Sequence, residues 1–251
     1  MKYYLIESDV SLGGVGTDRH EQVLDALGAA IANGSLAPGT VLRSEELQER
    51  FGASRTVARE VVRVLETMRL TSSKRRVGVI VREPAEWNHY DPRLIRWQLD
   101  GPARPAALAT LNELRSAIEP CAARFAALRA TPEERGRLGA LGERLARTAR
   151  ARDLSAFLGF DIAFHDLLLT ASRNSMFGQL SDVVAEVLTG RTGHGLMPPE
   201  PQPEAVALHL EVAAAVAAGE ADRAERAMRD IVVQARDEIA ALVSEGGPEV
   251  E

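Results

Sequence analysis

The 251 residues predict a mainly α protein made of two unlike parts, and three observations carry that prediction. Aromatic residues make up only 4% of the chain while Ala, Leu, Arg and Glu abound, which favours helices over sandwiches or barrels. Apolar residues recur at helical spacing through nearly all of residues 106–243. The one pair of β-type runs, between Leu70 and Val81, brackets a basic tip.

Taken in order, residues 1–16 show no periodicity and end in Gly13-Gly14-Val15-Gly16, a flexible lead-in. Asp18 to Asn33 reads as an amphipathic helix through Val23, Leu24, Leu27 and Ile31, closed by Gly34. Pro38-Gly39 marks a turn and Val41-Leu42 a short strand, after which Ser44 is expected to cap a short helix from Leu47 to Phe51. Gly52 permits a tight turn, and Ser54 is placed to cap the next helix. That helix has two opposed faces. Val57, Val61, Val64, Leu65 and Met68 form an apolar stripe, while Arg55, Arg59 and Arg63 recur every fourth residue on the far side with Thr56 beside them. Leu70–Ser73 and Val77–Val81 then flank Lys74-Arg75-Arg76. An arginine face alone reads as a solvated surface. Here it follows a short helix and precedes a basic hairpin, so residues 17–83 predict a winged helix-turn-helix with the arginine helix in a DNA major groove.

Net charge is −6, which by itself opposes a nucleic-acid partner, but its distribution does not. Arg43 to Arg82 holds ten basic and five acidic residues, and the excess of acid lies on either side. Lys74, Arg75 and Arg76 are suited to grip backbone or minor groove. Residues 84–105 carry both tryptophans, Trp87 and Trp97, and read as a packed connector. The helical body, 106–243, divides into segments near 106–129, 132–150, 153–172, 175–190, 203–218 and 221–243, with one long Gly- and Pro-rich loop from Gly190 to Pro203 and a frayed tail after Ser244. The single Cys121 excludes an internal disulfide framework, no apolar run is judged long enough to span a bilayer, and the N-terminus turns acidic too early for a signal peptide. A cytoplasmic protein without a membrane partner is expected.

In the body, Asp161 and His165 are i, i+4 neighbours on a face shared with Leu158, Ile162 and Leu169, and His209 sits among Ala205, Val212 and Val216. A lone inward histidine is most often a satisfied core residue. Three inward polar groups in one bundle instead point to a shared site, and Asp with two His suits Zn, Ni or Mn with open positions. The helices 203–218 and 221–243 turn at Gly219-Glu220, which sets residue 231 level with His209; that position is Ile231, which cannot ligate. Arg115 either pairs with Glu119 at the surface or, facing inward, anchors a carboxylate. His194 reads as a solvated loop residue, with a lid over the pocket as the alternative.

These residues resemble the GntR family of bacterial regulators, in the FadR-type subgroup whose effector domain is called FCD. The resemblance runs over about residues 18–243 and rests on Ile31–Thr40, Ser54-Arg55-Thr56-Val57-Ala58-Arg59-Glu60 and the wing with Gly78. In the body it rests on Glu113-Leu114-Arg115, Glu119-Pro120, Asp161–His165, Ser172-Arg173-Asn174, His209 and Ala217–Glu220. The connector from Glu86 to Trp97 further resembles repressors of D-galactonate operons, a branch associated with sugar acids. The resemblance implies a homodimer on a palindromic operator, released when a small carboxylated effector binds. By position it implies DNA contacts from Arg43, Ser54, Arg55, Thr56, Arg59 and the wing at Gly78. It also implies effector contacts from Arg115, Asp161, His165, Asn174 and His209, and metal ligation by Asp161, His165 and His209. The chain departs from the pattern at Ile231, where a final histidine is usual, and at Arg43–Leu47, which is one residue short and lacks an arginine after the Ser-Glu pair. Two rivals stand beside this reading: a helical metalloenzyme with a basic accessory domain, and a constitutive DNA-binding protein with a non-functional effector site.

Overall fold

The computed structural model describes residues 19–195 and 202–245. The expected lead-in, the middle of the Gly190–Pro203 loop and the end of the tail lie outside them. The chain divides into two compact units, residues 1–103 and 104–251.

The first unit is ordered α1 (Arg19–Ala32), β1 (Val41–Leu42), α2 (Ser44–Phe51), α3 (Arg55–Thr67), β2 (Thr71–Lys74), β3 (Gly78–Val81) and α4 (Pro92–Asp100). The strands form an antiparallel sheet ordered β1-β3-β2, with Val41 opposite Ile80 and Lys74 opposite Gly78. Val23, Leu24, Leu27 and Ile31 of α1 pack with Val61 and Leu65 of α3, with Met68 just after it, and with Val79 and Val81 of β3. The apolar stripe of α3 is slightly rotated from the expected one: Ala58 and Val62 are buried, while Val57 and Val64 are half-buried.

Residues 84–100 belong to this unit. Trp97 lies flat over Gly28 of α1, where an added Cβ would come 2.1 Å from its ring. Trp97 Nε1 donates to Asp25 Oδ1 at 3.1 Å, and Asn33 Nδ2 donates to the Trp97 carbonyl at 3.2 Å. Trp87 joins the same core and donates to the Arg82 carbonyl. The expected cap of α2 is corrected: Arg43, not Ser44, holds the cap position, and its N–H donates to Glu46 Oε2 at 3.3 Å. The side chain at the third helical position satisfies this end, so Ser44 becomes the first helical residue.

The second unit holds α5 (Arg104–Arg129), α6 (Pro132–Ala151), α7 (Leu154–Ala171), α8 (Ser175–Gly178), α9 (Ser181–Gly193), α10 (Pro203–Ala218) and α11 (Ala221–Glu245). Thr131 and Glu134 form a capping box with Pro132 at the first position of α6, and Asp153 caps α7 through Ala156 N–H. Gly219, at φ 75°, makes the left-handed turn that folds α11 back on α10. Ala122, Ala123, Ala126 and Ala127 are fully buried on α5, which packs against α7 and α11.

Two expectations fail here. The segment 175–190 is two helices, because Gly178 ends the first turn and Ser181-Asp182 start another. α7 does reach the length and apolarity of a membrane-crossing helix, at 18 residues and a mean hydropathy of 1.4. It packs instead against α5, α6 and α9, so several of its sides are apolar for the sake of the bundle.

Candidate DNA-reading face and effector cavity

The helix-turn-helix is set by two local devices. Gly52, at φ 55°, closes α2 in the left-handed region and donates to the Gln48 carbonyl. Ser54 Oγ then accepts from Val57 N–H at 3.2 Å and starts α3. Arg55, Thr56, Arg59 and Arg63 stand exposed on the side away from the core, as does Arg43 ahead of α2. The hairpin tip presents Lys74, Arg75 and Arg76 to solvent, with Arg76 held at φ 65°, a region uncommon for any residue but glycine. Gly78 is required where it is: its φ is 125°, and a Cβ would sit 3.1 Å from the Leu42 carbonyl oxygen. A residue the sequence did not single out joins wing to helix, for Glu66 Oε1 of α3 accepts from Ser73 N–H at 2.7 Å.

In the second unit α5, α7, α9, α10 and α11 enclose a cavity of about 40 Å³, inside about 460 Å³ of atom-free space that includes its mouth. On a scale where one water needs roughly 10–15 Å³, the inner part holds about three waters. Asp161, His165 and His209 converge on it, each offering one ligand atom within 4.8 Å of the others. His209 Nε2 is 3.0 Å and His165 Nε2 3.4 Å from the same Asp161 Oδ1. Of their other ring nitrogens, His209 Nδ1 is 2.6 Å from the Ala205 carbonyl oxygen, while His165 Nδ1 is 2.7 Å from Glu119 Oε2 without hydrogen-bond geometry. A carbonyl can only accept, so Ala205 holds a proton on His209 Nδ1, and the Nε2 atoms of both histidines face one carboxylate oxygen. Such a cluster needs a cation at its centre. A proton on His165 can serve, and the donor set also fits a divalent metal with open positions.

Ile231 lines the same cavity as His209 and supplies apolar surface there. Arg115 faces inward, 1% exposed, and its Nε lies 2.6 Å from Glu119 Oε1, so the two open alternatives for it merge: the pair exists, but buried. Sequence reasoning missed Arg191 of α9, which lines the cavity and pairs with Glu238 of α11 at 3.2 Å. Asn174 is not brought to the cavity; its side chain caps α8 by accepting from Met176 N–H. His194 is half-buried at the end of α9 and does not line the cavity.

The electrostatics follow the contacts. Burial alone would raise Glu119, but Arg115 and His165 outweigh it and hold the carboxyl down at about 2. Burial would lower His165, yet Glu119 and Asp161 push it up to about 9. Asp161, despite its burial, is held well below the usual carboxylate range by its contacts with His165 and His209.

Residues 19–81 match the family model of bacterial regulatory proteins of the gntR family, and residues 110–234 match that of the FCD domain. The galactonate operon transcriptional repressor of Escherichia coli K12 is 33% identical over 68% of this chain and 74% of its own length. Among solved structures, E. coli McbR/YncC aligns over 92% of this chain and all of its own, with a TM-score of 0.51 at 21% identity. Lar of Listeria monocytogenes aligns over 91% and all of its own, with a TM-score of 0.54 at 16% identity. The last two speak for the fold alone. An arginine-faced helix beside a basic wing, followed by a helical unit with an FCD match, places the chain in the GntR family of bacterial transcription regulators.

Proposed function

We propose that this regulator is a repressor that binds a palindromic operator as a homodimer and is released by a small carboxylated metabolite, a sugar acid by preference. The observation that carries the DNA half is α3, whose core stripe is buried while Arg55, Thr56 and Arg59 stand free near its N-terminus. Arg43, Ser54 and Gly78 position the backbone around them, and Lys74, Arg75 and Arg76 of the wing neutralise phosphates. The sugar-acid preference is supported by the galactonate repressor's name and by inward charge in the effector cavity. There Asp161, His165 and His209 would hold a divalent metal, Zn, Ni or Mn, which when bound supplies a Lewis-acid contact for the ligand's carboxylate or hydroxyl. Arg115 orients the same anion, and its buried pair with Glu119 keeps it in place. Asn174 acts at one remove, by shaping the start of α8.

A gel-retardation titration against a fragment from the protein's own promoter region tests this. Arg55→Ala or Arg59→Ala is expected to weaken binding by about 1–3 kcal/mol each if it reads a base edge. Unchanged retardation in both variants sinks the assignment of α3. The reading as a constitutive regulator has one observation in its favour, Ile231 in the same cavity as His209, and it gains if no carboxylated ligand raises the melting temperature or shifts the operator complex.

A further inference from the structure

We infer that the ligand's carboxylate is held by a pair of buried guanidiniums, Arg115 and Arg191, at a subsite that works without a metal. This rests on the reading of the cavity as an effector site and names the residue that selects its ligand.

Both side chains line the cavity, at 1% and 5% exposure. Each is only partly satisfied. Arg115 spends Nε and Nη2 on Glu119, at 2.6 and 3.4 Å, and its buried Nη1 has no hydrogen-bond partner. Arg191 spends Nη2 on Glu238, and its buried Nε has none. An unmade bond at a buried charged donor is costly, so two of them on residues that line one cavity favour an acceptor that can come within reach of both. The two cations also oppose each other: burial first, and then Arg115, bring Arg191 down to about 10. An anion between them relieves that repulsion and fills both donors at once.

The remaining wall defines the rest of the ligand. Gln202 offers an amide that suits a hydroxyl, and Gln234 keeps its oxygen while its Nε2 donates to Glu238 Oε1. The apolar Phe157, Leu188 and Ile231 together with the carboxylates of Asp161 and Glu238 disfavour a second negative charge. The class is therefore a hydroxylated monocarboxylate. The donors that select it belong to the chain itself, which makes the missing fourth metal ligand at Ile231 tolerable.

The test uses the full-length protein, stripped with EDTA and desalted. Glycolate, lactate, glycerate and gluconate are titrated by calorimetry and thermal shift, with ethylene glycol and sorbitol as neutral counterparts. At least one acid is expected to bind and its neutral counterpart not. Arg191→Gln is expected to weaken that acid by about ten- to a hundredfold, the effect of one lost charge-assisted bond. If Arg191→Gln does not fold, Arg191→Lys, which keeps the charge but loses the planar Nε donor, must show the same loss in direction. The inference falls if no acid binds the metal-free protein, if binding returns only with added Zn or Mn, or if the folded Arg191 variant binds as well as the original. Acids that bind as described but leave the operator complex intact would overturn the repressor reading and leave the anion subsite standing.

Discussion

The two units use arginine in opposite ways. In the first, Arg55, Arg59, Arg75 and Arg76 project from a helix and a hairpin into water, at positions where neither fold nor core depends on them. In the second, Arg115 and Arg191 are turned inward among carboxylates and histidines, at positions where removing one partner strands another. A charged group meant for a large external polyanion can stay solvated until the partner arrives. One meant for a small ligand must be desolvated beforehand, and so must be kept by a network.

The sharpest way to break that contrast is Glu119→Gln. It leaves Arg115 and His165 without their shared buried counter-charge, and breaking one side of a buried pair costs about 3–5 kcal/mol. Urea unfolding of the second unit should show the loss, and a loss below about 1 kcal/mol would place these charges among ordinary surface pairs. Solution pH separates the units next. Glu119 is depressed from 4.5 to about 2, so its contribution is present above 4.5 and lost as pH falls through 2. His165 is raised from 6.5 to about 9, so its contribution is full below 6.5 and lost as pH rises through 9. The metal-free second unit is therefore expected to be most stable between pH 4.5 and 6.5, read as the melting temperature across pH. A profile that climbs steadily to pH 9 would contradict the network. Smallest is Glu66→Ala, which frees Ser73 N–H at an exposed site; about 0.5–1.5 kcal/mol of operator affinity should go, with folding stability nearly unchanged.

The same contrast explains how far the sequence could be read. The arginine face of α3 was legible because an exposed face and a buried stripe alternate with period 3.6, and the capping serine and turn glycine mark its start. The meeting of Ile231 and His209 at one cavity was legible because Gly219 turns α11 back on α10. The network itself was not, because its members come from five helices and only tertiary packing brings them together. A weaker signal did exist. Arg191 follows Val184, Val187 and Leu188 at i+7, i+4 and i+3, and Glu238 extends the row of Ile231, Gln234 and Ala235. Charges lying on an apolar stripe, rather than opposite it, are the mark of an inward polar site. Glu119 carries the same mark on α5, whereas its i, i+4 relation to Arg115 by itself leaves a surface pair and an inward Arg115 both open. The break between α8 and α9 leaves little trace in the sequence because Gly178 interrupts an otherwise helical run only briefly.

α7 has a consequence for handling the protein. A bundle helix 18 residues long and apolar on several sides is sheltered only while its neighbours stay docked. Once they part, the freed segment sticks to other chains or to lipid faster than the bundle can reassemble. Heat inactivation of this regulator should then be governed by the rate of opening and deepen with protein concentration, so that a bound effector would protect it chiefly by prolonging its lifetime.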